Sequence, residues 1–584
     1  MNDIDASARD WGVETGYHDV FGTWQTVSES TLRSIVAALS ISSRGPAHFD
    51  GVEQGGLRVY QSNGARSWAL AVQLYSVRSG RNWGIGDFGD LAEIVKTAAA
   101  AGAGAVGLNP LHALFTDRPQ DCSPYAPNSR LYLNPLYIDV EAVDEFDRAA
   151  ASRDPLEAAR AFDMVDYAAV TSLKLAALRH AYERFRTSGS QLRRDDFARF
   201  RAEQGETLTR FSCFETLRAR YAPLPWNAWP APWCNPDSIA IQVFRSDEDR
   251  ACGFHEYLQW NADRQLARCR DLAKQQGMAI GLYLDLAVGV HPDGADAWSD
   301  QAAVIRDLSI GAPPDAFNPD GQNWGLAPFN PHALPTDDFA VIRQLMTAAM
   351  RHAGAVRLDH VLGLMRLYLI PHGSREGTYV RYPFEALLRV IAEESNRHQC
   401  IFIGEDLGTV PEGFRETAAR WGVWSYRVMI FERWDNGEFK PPSAYPAESL
   451  ATFNTHDLPT FRGWMTSHDL GVKGSLGIDA GESHESRGRS RDVLGGALTS
   501  HGDVHAPEGF AVVAAFLAAT PSRLVSAGIE DLLEVSDQIN IPGTVDEHPN
   551  WRRKLPIPLE SWKDTPTFKR VAEAFAQGGR AGNR

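Results

Sequence analysis

Eight short apolar runs, most of them followed by amphipathic stretches, constrain the fold of this chain more than any other feature. The runs occupy residues 68–77, 105–111, 279–288, 355–364, 400–407, 425–432, 450–456 and 522–529. Their hydrophobicity is nearly continuous rather than alternating, which is typical of strands buried on both faces. Eight such strands alternating with helices predict an α/β fold, the (β/α)8 TIM barrel. A doubly wound sheet is the alternative, because strand counts from one sequence are error-prone.

Three segments depart from this regular pattern. Residues 1–65 carry one helix signal, at 28–41, and are predicted to form a short N-terminal helical segment before a catalytic barrel at 66–584. The region from about residue 141 to 270 is rich in helix formers, which predicts a large helical insertion between strands 2 and 3. Residues of about 466–506 are polar, rich in Gly and Ser and mostly aperiodic, which indicates a surface loop over the site.

Charge and composition exclude several classes of partner. The formal net charge of −16 argues against binding to nucleic acid or to anionic membranes. The N-terminal stretch lacks the apolar core of a signal peptide, and the apolar stretch at 511–519 is too short to span a bilayer. The six cysteines are scattered without metal-ligand spacing. We therefore expect a cytoplasmic protein with reduced thiols and no metal.

Three acidic residues stand where apolar runs end: Asp359, Glu405 and Asp457. In a barrel of parallel strands, such positions meet at the carboxyl-terminal mouth. Cleavage of a sugar bond needs a nucleophile, an acid/base and a further anion near an oxocarbenium-like transition state. The alternative is that each acid caps a helix, which is a common role for Asp at such positions. That alternative explains one acid well and all three together poorly.

The neighbours of these acids indicate how their charges are set. Arg357 stands two positions before Asp359, so both side chains point the same way on a strand. The guanidinium is predicted to lower the pKa of that carboxyl and keep it ionised, as a nucleophile requires. Glu405 is expected to face the pocket with a raised pKa, while Asp406 points the other way and bonds the backbone. His456, directly before the third acid, is expected to bond sugar hydroxyls, although a lone histidine is more often structural.

A glycine motif early in the chain offers a rival hypothesis. Gly84, Gly86 and Gly89 satisfy the G-x-G-x-x-G pattern of dinucleotide-binding proteins. That pattern directly follows a strand and precedes an acidic residue by about twenty positions. Here a polar stretch intervenes, Asp87 lies inside the motif, and Asn109 stands near the expected acidic position. An arched loop entering a helix, with glycine for close backbone approach, is favoured over a nucleotide-dependent oxidoreductase.

The sequence resembles the 4-α-glucanotransferases, also called amylomaltases or disproportionating enzymes, of glycoside hydrolase family 77 in the α-amylase clan. The resemblance is carried by RLDH (357–360), GEDLG (404–408) and NTHDLPT (454–460) at the ends of strands. Longer motifs extend it from about residue 68 to 556: LYSVRSGRNWGIGDFGDL (74–91), SPYAPNSRLYLNPLYID (123–139), GAPPDAFNPDGQNWGLAPFNP (311–331) and INIPGTVDEHPNWRRKL (539–555).

The resemblance implies a role for each of the three acids. Asp359 would be the nucleophile, Glu405 the general acid/base and Asp457 the stabiliser of the transition state. The resemblance also implies eight substrate-binding residues: Arg357, His456 and Asp285 at the sugar of the cleaved bond, Tyr125 stacking under that sugar, Trp324 and Asp315 in a loop partly covering the acceptor side, and Asn540 and Gly543 lining the site from the eighth strand. Sugar rings present apolar C–H faces, which suits the two aromatic residues.

Together these residues predict a retaining 4-α-glucanotransferase that moves α-1,4-glucan segments between maltodextrins. The reaction would pass through a covalent glycosyl-enzyme, with no metal or organic cofactor, and its partners would be maltooligosaccharides. Two alternatives stay open. An α-1,4-glucan hydrolase on the same barrel would use the same carboxylates with water as acceptor. A non-catalytic glycan-binding protein would not need all three acids.

Overall fold

A closed barrel of eight parallel strands lies at the centre of the computed structural model. The structure describes residues 3–19, 22–43, 45–49, 51–62, 64, 66–148, 153–314, 321–499 and 509–582. The barrel strands are β1 (Ser67–Val72), β2 (Ala105–Leu108), β3 (Gly281–Leu286), β4 (Ala355–Leu358), β5 (Ile401–Gly404), β6 (Trp424–Val428), β7 (Ser449–Thr452) and β8 (Leu524–Gly528). They follow one another around the barrel, and β8 closes it by pairing with β1. The predicted (β/α)8 barrel is confirmed, and each of the eight apolar runs contributes one strand.

Small and large side chains alternate inside the barrel. Ala105 and Ala355 are fully buried there, and they share one interior cluster with Tyr283 and Tyr426. Small residues on some strands leave room for aromatic rings from others, so the barrel interior is filled rather than open. Because all eight strands are parallel, their carboxyl ends meet at one mouth.

Helices surround the barrel on its outer side. The main ones are Phe88–Ala100, Ala340–Met350, Phe384–His398, Phe414–Arg420, Phe510–Ala519 and Pro566–Gln577. The insertion between β2 and β3 is helical, as predicted, with Arg153–Ala161, Tyr167–Ser188, Gln191–Tyr221, Ala231–Cys234, Ile239–Asp247 and Asp249–Gln275. Gly205 bends the longest of these helices, with φ of 58°. No helix in the described part of the chain has the length and apolar character needed to span a bilayer.

The early glycine motif is an arched loop that enters a helix. Asp87 caps the helix Phe88–Ala100 in a capping box with Asp90. A Cβ atom on Gly86 would lie 1.9 Å from the carbonyl oxygen of Leu74, so only glycine fits there. The Arg81 guanidinium lies 2.6 and 2.9 Å from the two aspartates. The side chains of the protein itself fill this loop, which supports the arched-loop prediction over a nucleotide site.

The N-terminal segment contains more structure than the single helix predicted for it. Its elements are the helices Asp3–Asp10 and Glu29–Ser40 and a hairpin of Gly16–His18 with Trp24–Thr26. Hydrogen bonds between the backbones of Gly12 and Arg381 and of Glu14 and Tyr379 attach it to the strand Thr378–Arg381. The two strands of the hairpin are each three residues long, too short for a hydrophobic period to reveal them in the sequence.

The prediction of an aperiodic loop over 466–506 is wrong for its described part. This region contains the helices His468–Ser475 and His484–Thr499, and residues 500–506 lie outside the described residues. A buried ion cluster stabilises the region in place of an apolar stripe. Arg487 makes two bonds of 2.9 Å to Asp469 and one of 2.8 Å to Glu482. Asp469 lies in a different helix from Arg487, and Glu482 lies before that helix begins, so no helical period marks these contacts.

Two small sheets add residues to the mouth of the barrel. One is antiparallel, in the order Thr378–Arg381, Arg366–Pro371, Leu308–Ala312 and Gln322–Leu326. The other pairs His112–Ala113 with Ser129–Leu133. Trp324 lies on the last strand of the first sheet, and Tyr125 lies in the connection between the two strands of the second.

Candidate active site

The two acids expected to act on the bond directly follow neighbouring strands. Leu358 of β4 pairs with Gly404 of β5, and Asp359 and Glu405 are the next residue on each strand. Neighbouring strands lie about 4.8 Å apart. The amide of Glu405 donates to the carbonyl of Leu358 at 3.1 Å, so the register continues to the acids. The fold therefore places both carboxyl groups side by side at the mouth.

Arg357 connects Asp359 to a third carboxylate. Its Nη2 lies 2.9 Å from Asp359 Oδ1, while its Nη1 donates to both oxygens of Asp285 at 2.8 and 3.0 Å. Arg357 and Asp285 are register partners on β4 and β3. The guanidinium also lies 5.2 Å from the centre of the Tyr426 ring. The predicted contact between Arg357 and Asp359 is present, and the same cation serves a second acid.

The expected pKa of Asp359 is wrong in direction. The pKa of this carboxyl is raised to about 6, mainly by burial and also by the charges of Glu405 and Asp285, against the opposing charge of Arg357. Because Arg357 divides its charge between two carboxylates, it does not offset both burial and the neighbouring acids. With a pKa of about 6, Asp359 is still mostly ionised at pH 7.

Glu405 is buried, and two backbone amides fix its position. Its oxygens accept hydrogen bonds from the amides of His360, at 2.9 Å, and Leu407, at 2.8 Å. Burial raises the pKa of this carboxyl, although Arg357 and the two amides act in the other direction. The direction agrees with the sequence prediction. A backbone φ of 49° at His360, in the left-handed region, accompanies the bond from its amide to the acid.

Asp406 points away from this pocket, as predicted. Its oxygens accept from the backbone amide of Tyr426 at 3.1 Å and from Nε of Arg415 at 2.7 Å. The helix-cap alternative fails for the third acid, because the helix after β7 is capped by Thr460 rather than by Asp457. Within the described residues, neither Asp359 nor Glu405 occupies an N-cap position.

A chain of hydrogen bonds runs from Asp285 to the third acid. The Tyr125 hydroxyl donates to Asp285 Oδ2 at 2.6 Å and lies 3.1 Å from Nδ1 of His456. Nε2 of His456 lies 3.3 Å from Oδ2 of Asp457, and Asn540 donates to Oδ1 of the same acid at 2.6 Å. The rings of Tyr125 and His456 are stacked, with centroids 4.4 Å apart.

This arrangement favours a protonated His456. The single hydroxyl proton of Tyr125 goes to Asp285, so its oxygen accepts from Nδ1–H of the imidazole. The other ring nitrogen faces the Asp457 carboxylate. Burial acts to lower the pKa of His456, but the charge and hydrogen bond of Asp457 outweigh it and raise this pKa. In return, burial acts to raise the pKa of Asp457, but His456 and Asn540 lower it overall.

The other predicted residues differ in how close they come to the acids. Trp324 is half-buried, and its ring meets that of His360 edge-on at 5.2 Å, beside Asp359 and Glu405. Gly543 is exposed, three residues beyond Asn540, in a turn where φ is 83°. Asp315 lies outside the described residues, so no structural statement is made for it.

Two residues at the site, Trp551 and Gln538, were not singled out from the sequence. Trp551 packs against both Tyr125 and His456, with centroid distances of 5.4 and 5.3 Å. Gln538 donates to the backbone oxygen of Asp457 at 2.8 Å. Trp551 ends the HPNW motif of the chain, which is the one sequence signal that could have pointed to it.

A further acid, Glu530, lies buried just beyond the end of β8. Its pKa is raised to about 8, mainly by burial and also by the charge of Asp531. Ionisation of Glu530 therefore opposes folding, so stability falls as pH rises from the ordinary glutamate pKa to about 8. The variant Glu530→Gln escapes this loss, and its unfolding free energy relative to wild type should rise by about 2–4 kcal/mol between pH 5 and pH 8.

Denaturant unfolding of the two proteins at pH 5, 7 and 8.5 measures this difference. Glu203→Gln is the matched control, because the Glu203 side chain is 64% exposed. A constant difference between Glu530→Gln and wild type at all three values of pH would contradict the expectation.

Comparisons with known proteins agree with this geometry. A sequence model of the family described as "4-alpha-glucanotransferase" matches residues 72–559. The 4-alpha-glucanotransferase of Haemophilus influenzae is 37% identical over 532 residues, which cover 84% of this chain and 76% of that protein. The 4-alpha-glucanotransferase of Mycobacterium tuberculosis is 37% identical over 525 residues, covering 85% of this chain and 72% of its own length.

Solved structures show the same architecture. The amylomaltase of Corynebacterium glutamicum superposes with a TM-score of 0.83 at 26% identity, covering 98% of this chain and 99% of that one. The amylomaltase of Streptococcus agalactiae in complex with acarbose superposes with a TM-score of 0.74 at 20% identity, covering 89% of this chain and 100% of that one. At that identity, the second likeness is evidence for the fold alone.

Proposed function

This chain belongs to the 4-alpha-glucanotransferase family, glycoside hydrolase family 77, and we propose that the carboxyl groups at its barrel mouth carry out the transfer by double displacement. The family predicted from the sequence motifs is confirmed. The chain is an enzyme, a 4-α-glucanotransferase that moves α-1,4-glucan segments. We propose maltooligosaccharides as both donor and acceptor.

The first step forms a covalent glycosyl-enzyme. Asp359 attacks the anomeric carbon of the donor sugar, and Glu405 gives its proton to the oxygen of the departing glucan. The observation that carries this proposal is that each acid directly follows one member of a paired position, Leu358 on β4 and Gly404 on β5. A strand spacing of about 4.8 Å agrees with the separation of about 5–5.5 Å that retaining enzymes need between their two carboxyl groups.

The second step transfers the glycosyl group to the acceptor. Glu405, now ionised, takes the proton from the 4-hydroxyl of a second maltodextrin, whose oxygen attacks the anomeric carbon and displaces Asp359. The configuration at that carbon is inverted twice and so retained. The proton returns to Glu405, and the site is ready for another donor.

Charge balance at the site suits a cationic transition state. When Glu405 carries its proton, the site contains three anions and two cations. The anions are Asp285, Asp359 and Asp457, and the cations are Arg357 and His456. The net charge of about −1 stabilises the positive charge that develops on the sugar ring. The pKa of Asp457 is lowered, so this carboxylate stays ionised through both steps.

Transfer must also compete with attack by water. Trp324 contributes to this selectivity by placing an aromatic ring next to His360, whose amide holds Glu405. Its half-buried ring offers an apolar face to an acceptor sugar, which holds the sugar in place and displaces water from beside the acid/base.

Incubation with maltotriose tests transfer against hydrolysis. We expect longer and shorter maltooligosaccharides to form while the total of reducing ends stays constant, because each transfer breaks one α-1,4 bond and makes another. Chromatography of the products and a reducing-end assay on the same samples measure both quantities. Rising reducing ends without longer products would identify a hydrolase, and no change in either would favour a binding protein.

A further inference from the structure

Trp551 packs against Tyr125 and His456 of the site, yet neither proposed step uses it. Its side chain is buried, with an exposed fraction of 5%, and its backbone φ is 59°. A bulky residue rarely adopts this left-handed conformation, which persists only where surrounding contacts enforce it. Such strain is concentrated at functional sites, so the contacts that maintain it identify what the turn does.

The indole touches both members of the stacked pair at the site. Its centroid lies 5.4 Å from that of Tyr125 and 5.3 Å from that of His456, with tilted rings. A third ring, that of Tyr75 just beyond β1, meets it edge-on at 6.4 Å. Because Tyr125 bonds Asp285 and His456 contacts Asp457, a shift of this pair would move groups around the reacting sugar.

The helical insertion holds the strained turn from the other side. The Tyr167 hydroxyl, at the start of the helix Tyr167–Ser188, donates to the carbonyl oxygen of Trp551 at 2.7 Å. The backbone amide of Val165 donates to the carbonyl of Arg552 at 2.7 Å. Tyr167 is itself buried, so this clamp is protected from solvent.

The same turn is tied to the loop that carries Asn540. Asn550 accepts from the amide of Ile541 at 3.0 Å and donates to the hydroxyl oxygen of Thr544 at 2.7 Å. Two neighbouring residues of one turn therefore support the two side chains that contact the third acid: Trp551 packs on His456, and Asn550 anchors the loop of Asn540.

We propose that Trp551 is a positioning residue for the transfer reaction, held by Tyr167 of the helical insertion so that it fixes the Tyr125–His456 stack. This proposal rests on the proposed function of the same site. Precise orientation of groups around the sugar contributes mainly to the transition state, so its loss lowers kcat more than it raises KM. The insertion thereby acts on catalysis through the hydrogen bond from Tyr167 to Trp551.

Substitution of Trp551 distinguishes the effect of its indole ring from the effect of its left-handed backbone. Glycine adopts the left-handed conformation without strain, so Trp551→Gly removes the indole while the turn can persist. We expect kcat for maltotriose transfer to fall about 10- to 100-fold with KM changed less than about threefold. Trp551→Phe keeps an aromatic contact and should retain kcat within about fivefold of wild type. A folded Trp551→Gly with wild-type kcat, or a loss confined to KM, would overturn the proposal.

A milder pair of variants on one helix tests the clamp. Tyr167→Phe removes only the hydroxyl that bonds Trp551, and kcat should fall about three- to tenfold. Tyr182 lies on the same helix, is also buried and packs against rings of the insertion, so Tyr182→Phe should keep kcat within about twofold. Equal losses in both variants, or wild-type kcat in Tyr167→Phe, would overturn the proposal even if Trp551→Gly does not fold. Wild-type enzyme that makes no maltotriose ladder would instead refute the proposed function.

Discussion

Replacing Asp359 by asparagine will lower the rate of maltodextrin transfer by about 10⁴-fold or more. An amide does not attack the anomeric carbon, so the covalent intermediate cannot form, and loss of an attacking nucleophile typically costs this much. Initial rates with maltotriose measure the effect. Maltodextrin should still bind the variant, as titration calorimetry can show, because Arg357 keeps both of its bonds to Asp285.

The same substitution should not destabilise the protein. Burial raises the pKa of Asp359 to about 6, so its ionised form opposes folding increasingly from the ordinary aspartate pKa up to pH 6. At pH 7 the neutral asparagine should gain up to about 3 kcal/mol in unfolding free energy. Asp237→Asn is the matched control on the exposed surface of the insertion, and it should keep wild-type activity. An active Asp359→Asn enzyme would remove the basis of double displacement.

Replacing Glu405 by glutamine should give a different signature from the loss of the nucleophile. Transfer from maltotriose should fall about 10²- to 10⁴-fold, because the leaving glucan no longer receives a proton. A donor with a fluoride leaving group, α-maltosyl fluoride, does not need that proton. We therefore expect a burst of fluoride about equal to the enzyme concentration, followed by slow turnover because the acceptor lacks its base. Azide, a nucleophile that needs no base, should restore turnover and yield maltosyl azide.

The pH profile provides a second readout for the same variant. In the wild type, the rate should fall as pH rises through the raised pKa of Glu405, because the first step needs its proton. It should also fall as pH decreases through about 6, where Asp359 takes up a proton. In Glu405→Gln with the fluoride donor, the alkaline fall should disappear, and the acidic fall should remain because Asp359 is unchanged. If the alkaline fall were unchanged in this variant, it would reflect the titration of a residue other than Glu405.

Much of the fold could be predicted because the signals were local. Each barrel strand is a nearly continuous apolar run, and each of the three acids follows such a run in the sequence. Parallel topology then places the carboxyl ends of the strands at one mouth, whichever residues lie between them. The contact between Arg357 and Asp359 follows from the two-residue period of a single strand.

Properties that depend on partners from other strands could not be predicted this way. The pKa of Asp359 depends on Asp285, a register partner of Arg357 that is distant in sequence and shares its charge. The helices in the region of Arg487 form around a buried ion cluster, so they carry no apolar period. The HPNW motif marks Trp551 but not its role, because its contacts with Tyr125 and His456 exist only after the chain has folded.

Closure of the barrel by β8 against β1 has a consequence for how the nascent chain folds. The strand that begins at residue 67 must wait for the strand that begins at residue 524 before its free side is paired. Until then it presents unpaired backbone groups to other chains, and contacts between such distant residues form slowly. The nascent chain is therefore prone to aggregation for a long part of its synthesis, and this is when we expect chaperones to bind it.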